Sequence, residues 1–344
     1  MSEPLRALSE ELEALIVHTN FSGAARISQR GALLYERAAG LADRGHLIPN
    51  TIGTQFGAAS GVKGLTAVVT MSLVEEGLLT LDTSVRHVLG DVLAEIDSAV
   101  TVRHLLTHTS GIGDYLDEEE ISDVGDYLLP IPVHQLETTA DYVVVLDGRP
   151  MKSAPGERFA YNNSGFVVLA LVCEFVSGTS FYDLVDERVC APAGMTSTAF
   201  FRNDSLPGNA ALGYLPDGDG SWRTNLFHLP MRGSGDGGLT TTVGDFDRFW
   251  TALFAGRILP IGTVHEMLTA HQDVPEDNKR YGLGFWLRAD RETVQVEGYD
   301  PGISFRSGHD IPTGVTFTVV SNTSDGVWPI VTLLGDRLSV FGDD

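Results

Sequence analysis

Ser60-Gly61-Val62-Lys63 sets a hydroxyl and an amine three residues apart at the head of an apolar helical run. A serine alcohol is a weak nucleophile near neutral pH, and a neighbouring amine able to shed its proton activates it. Lysine suits that task because burial lowers its pKa, whereas arginine stays charged. The chain has only three lysines (Lys63, Lys152 and Lys279) against twenty arginines, so one of them at this spacing from a serine carries weight. The competing reading is a helix-capping serine followed by an exposed lysine. Tyr161-Asn162-Asn163 supplies a second set. The phenol can relay a proton, and the amide of Asn163 can hold a substrate carbonyl or the lysine. Asn163 as a plain helix N-cap beside a packed tyrosine is the alternative there.

Other chemistry-bearing spacings lead nowhere. His104 and His108 lie four apart, but without the glutamate of a His-Glu-x-x-His site or a placed third ligand they specify no metal. His108-Thr109-Ser110-Gly111 reads as a helix end that positions the next loop. Asp217-Gly218-Asp219-Gly220 lacks the glutamate that closes a calcium loop and reads as a turn. Gly235-Asp236-Gly237-Gly238-Leu239 reads as a close-packed crossover, with no Gly-Lys-Ser/Thr to cradle phosphate. There is no Gly-x-Ser-x-Gly elbow. No cofactor is implied.

These residues need elements to hold them. Residues 4–18 form an amphipathic helix pattern, followed by strand-like runs at 23–29 and 32–38 joined as a hairpin at Arg30-Gly31. A helix is expected over 62–76, stopped by Gly77. Helix signals follow at 102–107, 165–176, 182–189 and 243–254, then strand signals at 281–287, 293–297, 302–307 and 314–321. A last helix is expected over 328–340. The pattern predicts an α+β fold: an antiparallel sheet built from both chain ends and flanked by helices, with a mainly helical inserted region. The expected boundaries are 1–78 with 237–344 for the sandwich and 79–236 for the insertion.

Composition narrows the partners. A length of 344 residues and 43% apolar content support a substantial core. A net charge of −23 repels nucleic acid and anionic membranes, and acidic blocks such as Asp117-Glu118-Glu119-Glu120 read as solvated surface. No apolar run reaches eighteen residues, and the N-terminal stretch lacks the features of a secretory signal, giving an expectation of a cytoplasmic protein. Cys173 and Cys190 read as reduced core residues. Oligomeric state is not specified.

In order along the chain, Ser60-x-x-Lys63, Tyr161-x-Asn163 and a glycine-containing strand near the C-terminus resemble the serine β-lactamases and penicillin-binding proteins. The similarity is greatest to the class C β-lactamase-like branch, which also holds esterases and D-amino-acid peptidases and amidases. Residues 55–60, 73–79, 102–111, 155–165 and 191–195 share the resemblance. It implies that Ser60 attacks an acyl carbonyl, that Lys63 and Tyr161 move the proton, and that Asn163 holds the lysine and the substrate. The oxyanion would rest on the backbone N–H groups of Ser60 and Tyr299.

The third motif departs from the family's Lys-Thr-Gly or His-x-Gly. Val296-Glu297-Gly298 stands in its place, with Gly298 letting substrate lie along the strand, so Glu297, Gly298 and Tyr299 are candidate substrate contacts. Val296 removes a cation. Glu297 adds a charge that, left bare, costs a substrate carboxylate about 4 kcal/mol at about 4 Å and an effective dielectric of about 20. Pairing with an arginine such as Arg306 would cancel it. The expectation is a serine hydrolase acting on a small ester, amide or short peptide, with poor β-lactam turnover. A true β-lactamase or penicillin-binding enzyme, and a non-catalytic binding protein that keeps the fold, are the alternatives.

Overall fold

The computed structural model of the chain describes residues 3–118 and 128–337. Glu119, Glu120 and the expected helical residues 338–340 lie outside them. Helix α1 (Glu3–His18) buries Leu5, Leu8, Leu12 and Ile16, a stripe recurring every three or four residues, and leaves Glu3 and Glu10 exposed. The main sheet has eight strands: β1 (Gly23–Gln29), β2 (Ala32–Ala39), β3 (Gln272–Val274), β4 (Lys279–Tyr281), β5 (Trp286–Arg288), β6 (Thr293–Asp300), β7 (Ile303–Asp310) and β8 (Val315–Ser321). Their order is β2-β1-β8-β7-β6-β5-β4-β3, antiparallel throughout. The β1–β2 hairpin turns at Arg30 and Gly31 with φ of 48° and 83°, the handedness that matches strand twist. β1 then pairs with β8 from Gly23↔Ser321 to Gln29↔Val315, closing the two chain ends into one sheet.

Each face of the sheet is covered. On one, α1 and a C-terminal helix (Trp328–Arg337) meet β1 and β8 through Leu12, Ile16, Ile27, Val319 and Ile330. On the other lie α2 (Lys63–Glu75), whose Gly64 meets Val296 and Phe285, and, later in the chain, a helix over Val243–Phe254, whose Phe246 packs on Phe305. Every residue of α2 from Lys63 to Leu73 is buried, so this helix has no solvent stripe and can only be an interior element. The long helix Asn163–Ser177 packs against α2, and one apolar cluster runs from Phe56 through Phe166 to Phe305. The fold is α+β, with the sheet drawn from both chain ends and a largely helical stretch between them.

Two elements differ from expectation. The run 281–287 is not one strand. Gly282 donates to the Phe285 carbonyl at 2.9 Å and Gly284 has φ 82°, so the chain turns back and makes β4 and β5 instead. The helix expected over 182–189 starts at Phe181, capped by Ser180, and loosens into a wider turn over Asp186–Cys190. Among the described residues no single helix is long and apolar enough to cross a membrane; the apolar pair Asn163–Ser177 and Phe181–Ala193 bends by 91° and supplies core residues.

Candidate active site

The nucleophile candidate sits on a tight turn. Ser60 lies inside a short 3-10 turn, Ala59–Val62, that feeds directly into α2, and it makes no capping bond. Ala59 is buried with φ 44°, a left-handed conformation that costs a non-glycine residue on the order of 1 kcal/mol. Surrounding bonds hold it there: Ala58 N–H donates to the Leu239 carbonyl and Gly61 N–H to the Ala58 carbonyl, each at 2.8 Å.

Lys63, one turn further, is 2% exposed. Its Nζ lies 2.8 Å from Ser60 Oγ, 2.7 Å from Asn163 Oδ1 and 2.8 Å from the Asp236 carbonyl. Burial pushes its pKa down, while the charges of Asp236, Glu118, Asp300 and Asp114 pull it back up. Tyr161 lines the cleft with Ser60, and its ring stacks on Trp286 at 6.1 Å between centroids with Lys63 Nζ 5.0 Å from its own. Burial, aided by Glu118 and Tyr281, raises the Tyr161 pKa well above the usual phenol range, so the group is a neutral phenol.

The loop that carries Tyr161 and Asn163 is held by residues that sequence reasoning did not assign to the site. His108 is buried; its Nδ1 accepts the Asn162 N–H at 3.0 Å, which leaves the ring proton on Nε2, 3.2 Å from Tyr281 Oη. Burial and the nearby Lys63 hold His108 well below its usual pKa. Asp114, also buried, accepts the N–H groups of Asn163 and Ser164 at 2.7 and 2.9 Å, where a carboxylate suits a helix N-terminus. The N-cap is Asn162, whose Oδ1 accepts Gly165 N–H at 2.7 Å; Asn163 is the first helical residue and is free to face Lys63. The glycine crossover delivers Asp236: a Cβ on Gly235 would stand 2.2 Å from the Phe166 carbonyl, so only glycine lets the loop come that close. His104 Nδ1 is occupied by the Thr101 N–H, and no group of three or more His, Cys, Asp or Glu among the described residues is placed to hold a metal ion.

The third motif behaves differently from a bare carboxylate. Val296 is buried against Gly64 and Phe285 under α2. Glu297 bonds Lys279 Nζ at 2.7 Å and Arg306 at 2.5 Å, and these two cations hold its carboxyl below the usual range against the opposing effect of burial. The expectation of a bare Glu297 is therefore corrected, because two cations pair it; the cleft itself is lined by Glu118, Glu276 and Asp277 besides Glu297, and among the described residues neither Lys279 nor Arg306 lines it. Gly298 faces the nucleophile turn, its absent Cβ 2.2 Å from the Ala58 carbonyl and 2.8 Å from Ser60 N. Strand β5 pairs with β6 only at Gln295 and Val294, so beyond them β6 runs past the Ser60 turn, bringing Tyr299 to its side.

Space opens on both sides of Ser60. A cleft of about 320 Å³ is lined by Tyr161, Trp286, Glu297, Gly298 and Tyr299. On the other side a cavity of about 300 Å³ is lined by Asn163, Asp236, Asp300 and several leucines. Asp300 precedes the Pro301-Gly302 turn, yet the Gly302 N–H is given to Ser324 Oγ at 2.8 Å, so the carboxyl does not serve the turn. Burial raises its pKa to about 7 against the pull of Lys63.

Comparison with known proteins follows the same lines. The solved penicillin-binding protein of Bacillus halodurans superposes with a TM-score of 0.89 at 37% identity, covering 94% of this chain and 99% of that one. Penicillin-binding protein 4* of Bacillus subtilis (strain 168) is 26% identical over 295 residues, 82% of this chain and 63% of its own length. Esterase EstB of Burkholderia gladioli is 32% identical over 189 residues, 51% of this chain and 45% of its own. The chain thus spans less than two thirds of the length of these curated relatives. The family model described as Beta-lactamase matches residues 10–331, and the chain belongs to that family.

Proposed function

We propose that the protein is a serine hydrolase that cleaves an ester or amide through an acyl-enzyme on Ser60. The observation that carries this is the triple contact of Lys63. With the amine neutral, its two N–H groups are taken by Asn163 Oδ1 and the Asp236 carbonyl, which leaves the lone pair directed at the Ser60 hydroxyl. Ser60 Oγ attacks the acyl carbon while Lys63 accepts its proton, and the carbonyl electron pair moves to the oxygen, held by the Ser60 and Tyr299 N–H groups. Tyr161, a neutral phenol in the cleft beside Ser60, passes a proton to the departing oxygen or nitrogen and is reprotonated from Lys63. Water then attacks the ester, giving its proton to the same pair, and Ser60 leaves as the alcohol.

Burst hydrolysis of p-nitrophenyl acetate and stoichiometric labelling by a fluorophosphonate test this reading. Ser60→Ala is expected to abolish both, a loss of at least about 10³-fold; undiminished turnover in that variant overturns the proposal. A second reading, acylation by penicillins, is favoured by the pairing of Glu297 with Lys279 and Arg306, which removes the bare charge that would oppose a substrate carboxylate at that position. Stable benzylpenicillin acylation or nitrocefin turnover supports it, and neither signal at millimolar drug rejects it.

A further inference from the structure

The two spaces beside Ser60 are not equivalent. Tyr161, the donor to the leaving group, lines the cleft on the β6 side, so the leaving group departs there. The acyl group must then occupy the opposite cavity, on the side of Asn163. That cavity is walled by Leu116, Leu129, Leu206, Leu212, Leu226 and Leu229, with the polar side chains of Asn203, Asn225 and His228 among them. It does not stop at these walls. An outer groove of about 550 Å³ shares Leu129, Asn203, Leu226 and Leu229 with it and continues over Leu128, Ile131, Phe227 and Met231. Phe227 and Leu128 are 73% and 66% exposed. Apolar side chains so exposed and contiguous are a solubility cost unless something covers them.

We propose that the acyl group of the natural substrate is a long apolar chain that fills the cavity beside Asn163 and extends into the Leu128–Phe227 groove. This inference rests on the serine-hydrolase reading. The occupant is fixed by continuity: the groove opens through shared leucines into the space where the acyl carbon must sit. A short acyl group would leave most of this wall wet. Each methylene taken out of water raises kcat/KM by about fourfold while the chain remains inside the apolar wall.

The test is a p-nitrophenyl ester series (acetyl, butyryl, octanoyl, dodecanoyl) below micellar concentrations, with Leu226→Asp and Phe227→Ser variants. Octanoate is expected to exceed acetate at least tenfold in kcat/KM. Leu226→Asp should lower octanoyl turnover at least tenfold more than acetyl turnover, and Phe227→Ser should affect the dodecanoyl ester most. A flat or falling chain-length profile with Ser60-dependent acetate hydrolysis overturns this inference and leaves the hydrolase reading standing. Binding to the Ser60→Ala protein separates the two questions if no ester is turned over. Octanamide should bind at least tenfold tighter than acetamide there, and Leu226→Asp should remove the difference; equal binding rejects the acyl-chain site.

Discussion

Lys63 is poised between opposing effects, and that balance decides the pH at which Ser60 can be activated. Burial disfavours the ammonium, and four carboxylates, those of Asp236, Glu118, Asp300 and Asp114, favour it. Burial raises the pKa of Asp300 to about 7, so its pull is switched on as pH rises past that point. Removing a neighbouring negative charge destabilises the protonated amine and lowers its pKa. Asp300→Asn should therefore move the acid limb of the kcat/KM profile to lower pH, by up to about one unit. A limb that stays in place, or moves upward, excludes coupling between Asp300 and the base. Ser60, Lys63, Tyr161 and Asn163 were legible in the sequence because each has distinctive side-chain chemistry at short spacing. Asp236 acts through a backbone carbonyl, and His108 and Asp114 act through backbone amides of another loop. Those contacts depend on which segments meet, which residue type and spacing do not encode.

At the scale of elements, the site depends on one close approach, that of β6 to the turn bearing Ser60. Gly298 permits it, since a Cβ there would collide with the Ala58 carbonyl and Ser60 N rather than with a movable side chain. Gly298→Ala must push the strand away from the nucleophile turn and take the Tyr299 N–H with it. The expected result is a fall in kcat of about 100-fold, the usual cost of one oxyanion donor, with a stability loss of roughly 1–3 kcal/mol from overpacking. Gly262, in the helix Ile261–Met267, is the control: nothing lies within 4 Å of its absent Cβ. Gly262→Ala should leave activity alone and stabilise by about 0.5 kcal/mol in chemical denaturation; equal kinetic damage at both sites counts against the strand-approach argument. The role of glycine in the third motif was visible in sequence. The fate of its neighbours was not, because period-two alternation tells which side chains share a face but not what that face meets. Val296 meets α2, and Glu297 meets a lysine from β4, a strand created by the Gly282–Gly284 turn that the apolar run concealed.

The whole molecule carries 46 acidic against 23 basic residues, so at least half of its carboxylates have no cation of their own. Several of the ion pairs that exist are locally strong, such as Glu297 between Lys279 and Arg306, but they sit largely out of solvent, where salt screens weakly. Exposed pairs such as Arg337–Glu11 are worth about 0–1 kcal/mol each. The excess charge, by contrast, is spread over the surface and repels itself across distances comparable to the Debye length, about 10 Å at 0.1 M salt. Two consequences oppose each other on adding salt: surface pairs weaken and the general repulsion weakens. With the acidic excess at −23, the second should win. Raising sodium chloride from about 0.01 M to about 0.5 M at pH 8 is expected to raise Tm by several degrees, since about 1 kcal/mol corresponds to roughly 2 °C in a chain of this size. Near the isoelectric point of about 4.6 the repulsion has gone while the ion pairs partly remain, so the same addition should leave Tm flat or lower it. Scanning calorimetry at the two pH values distinguishes the cases. A salt response of the same sign and size at both would mean that ion-specific binding or solvent exclusion, and not the net charge, sets the effect.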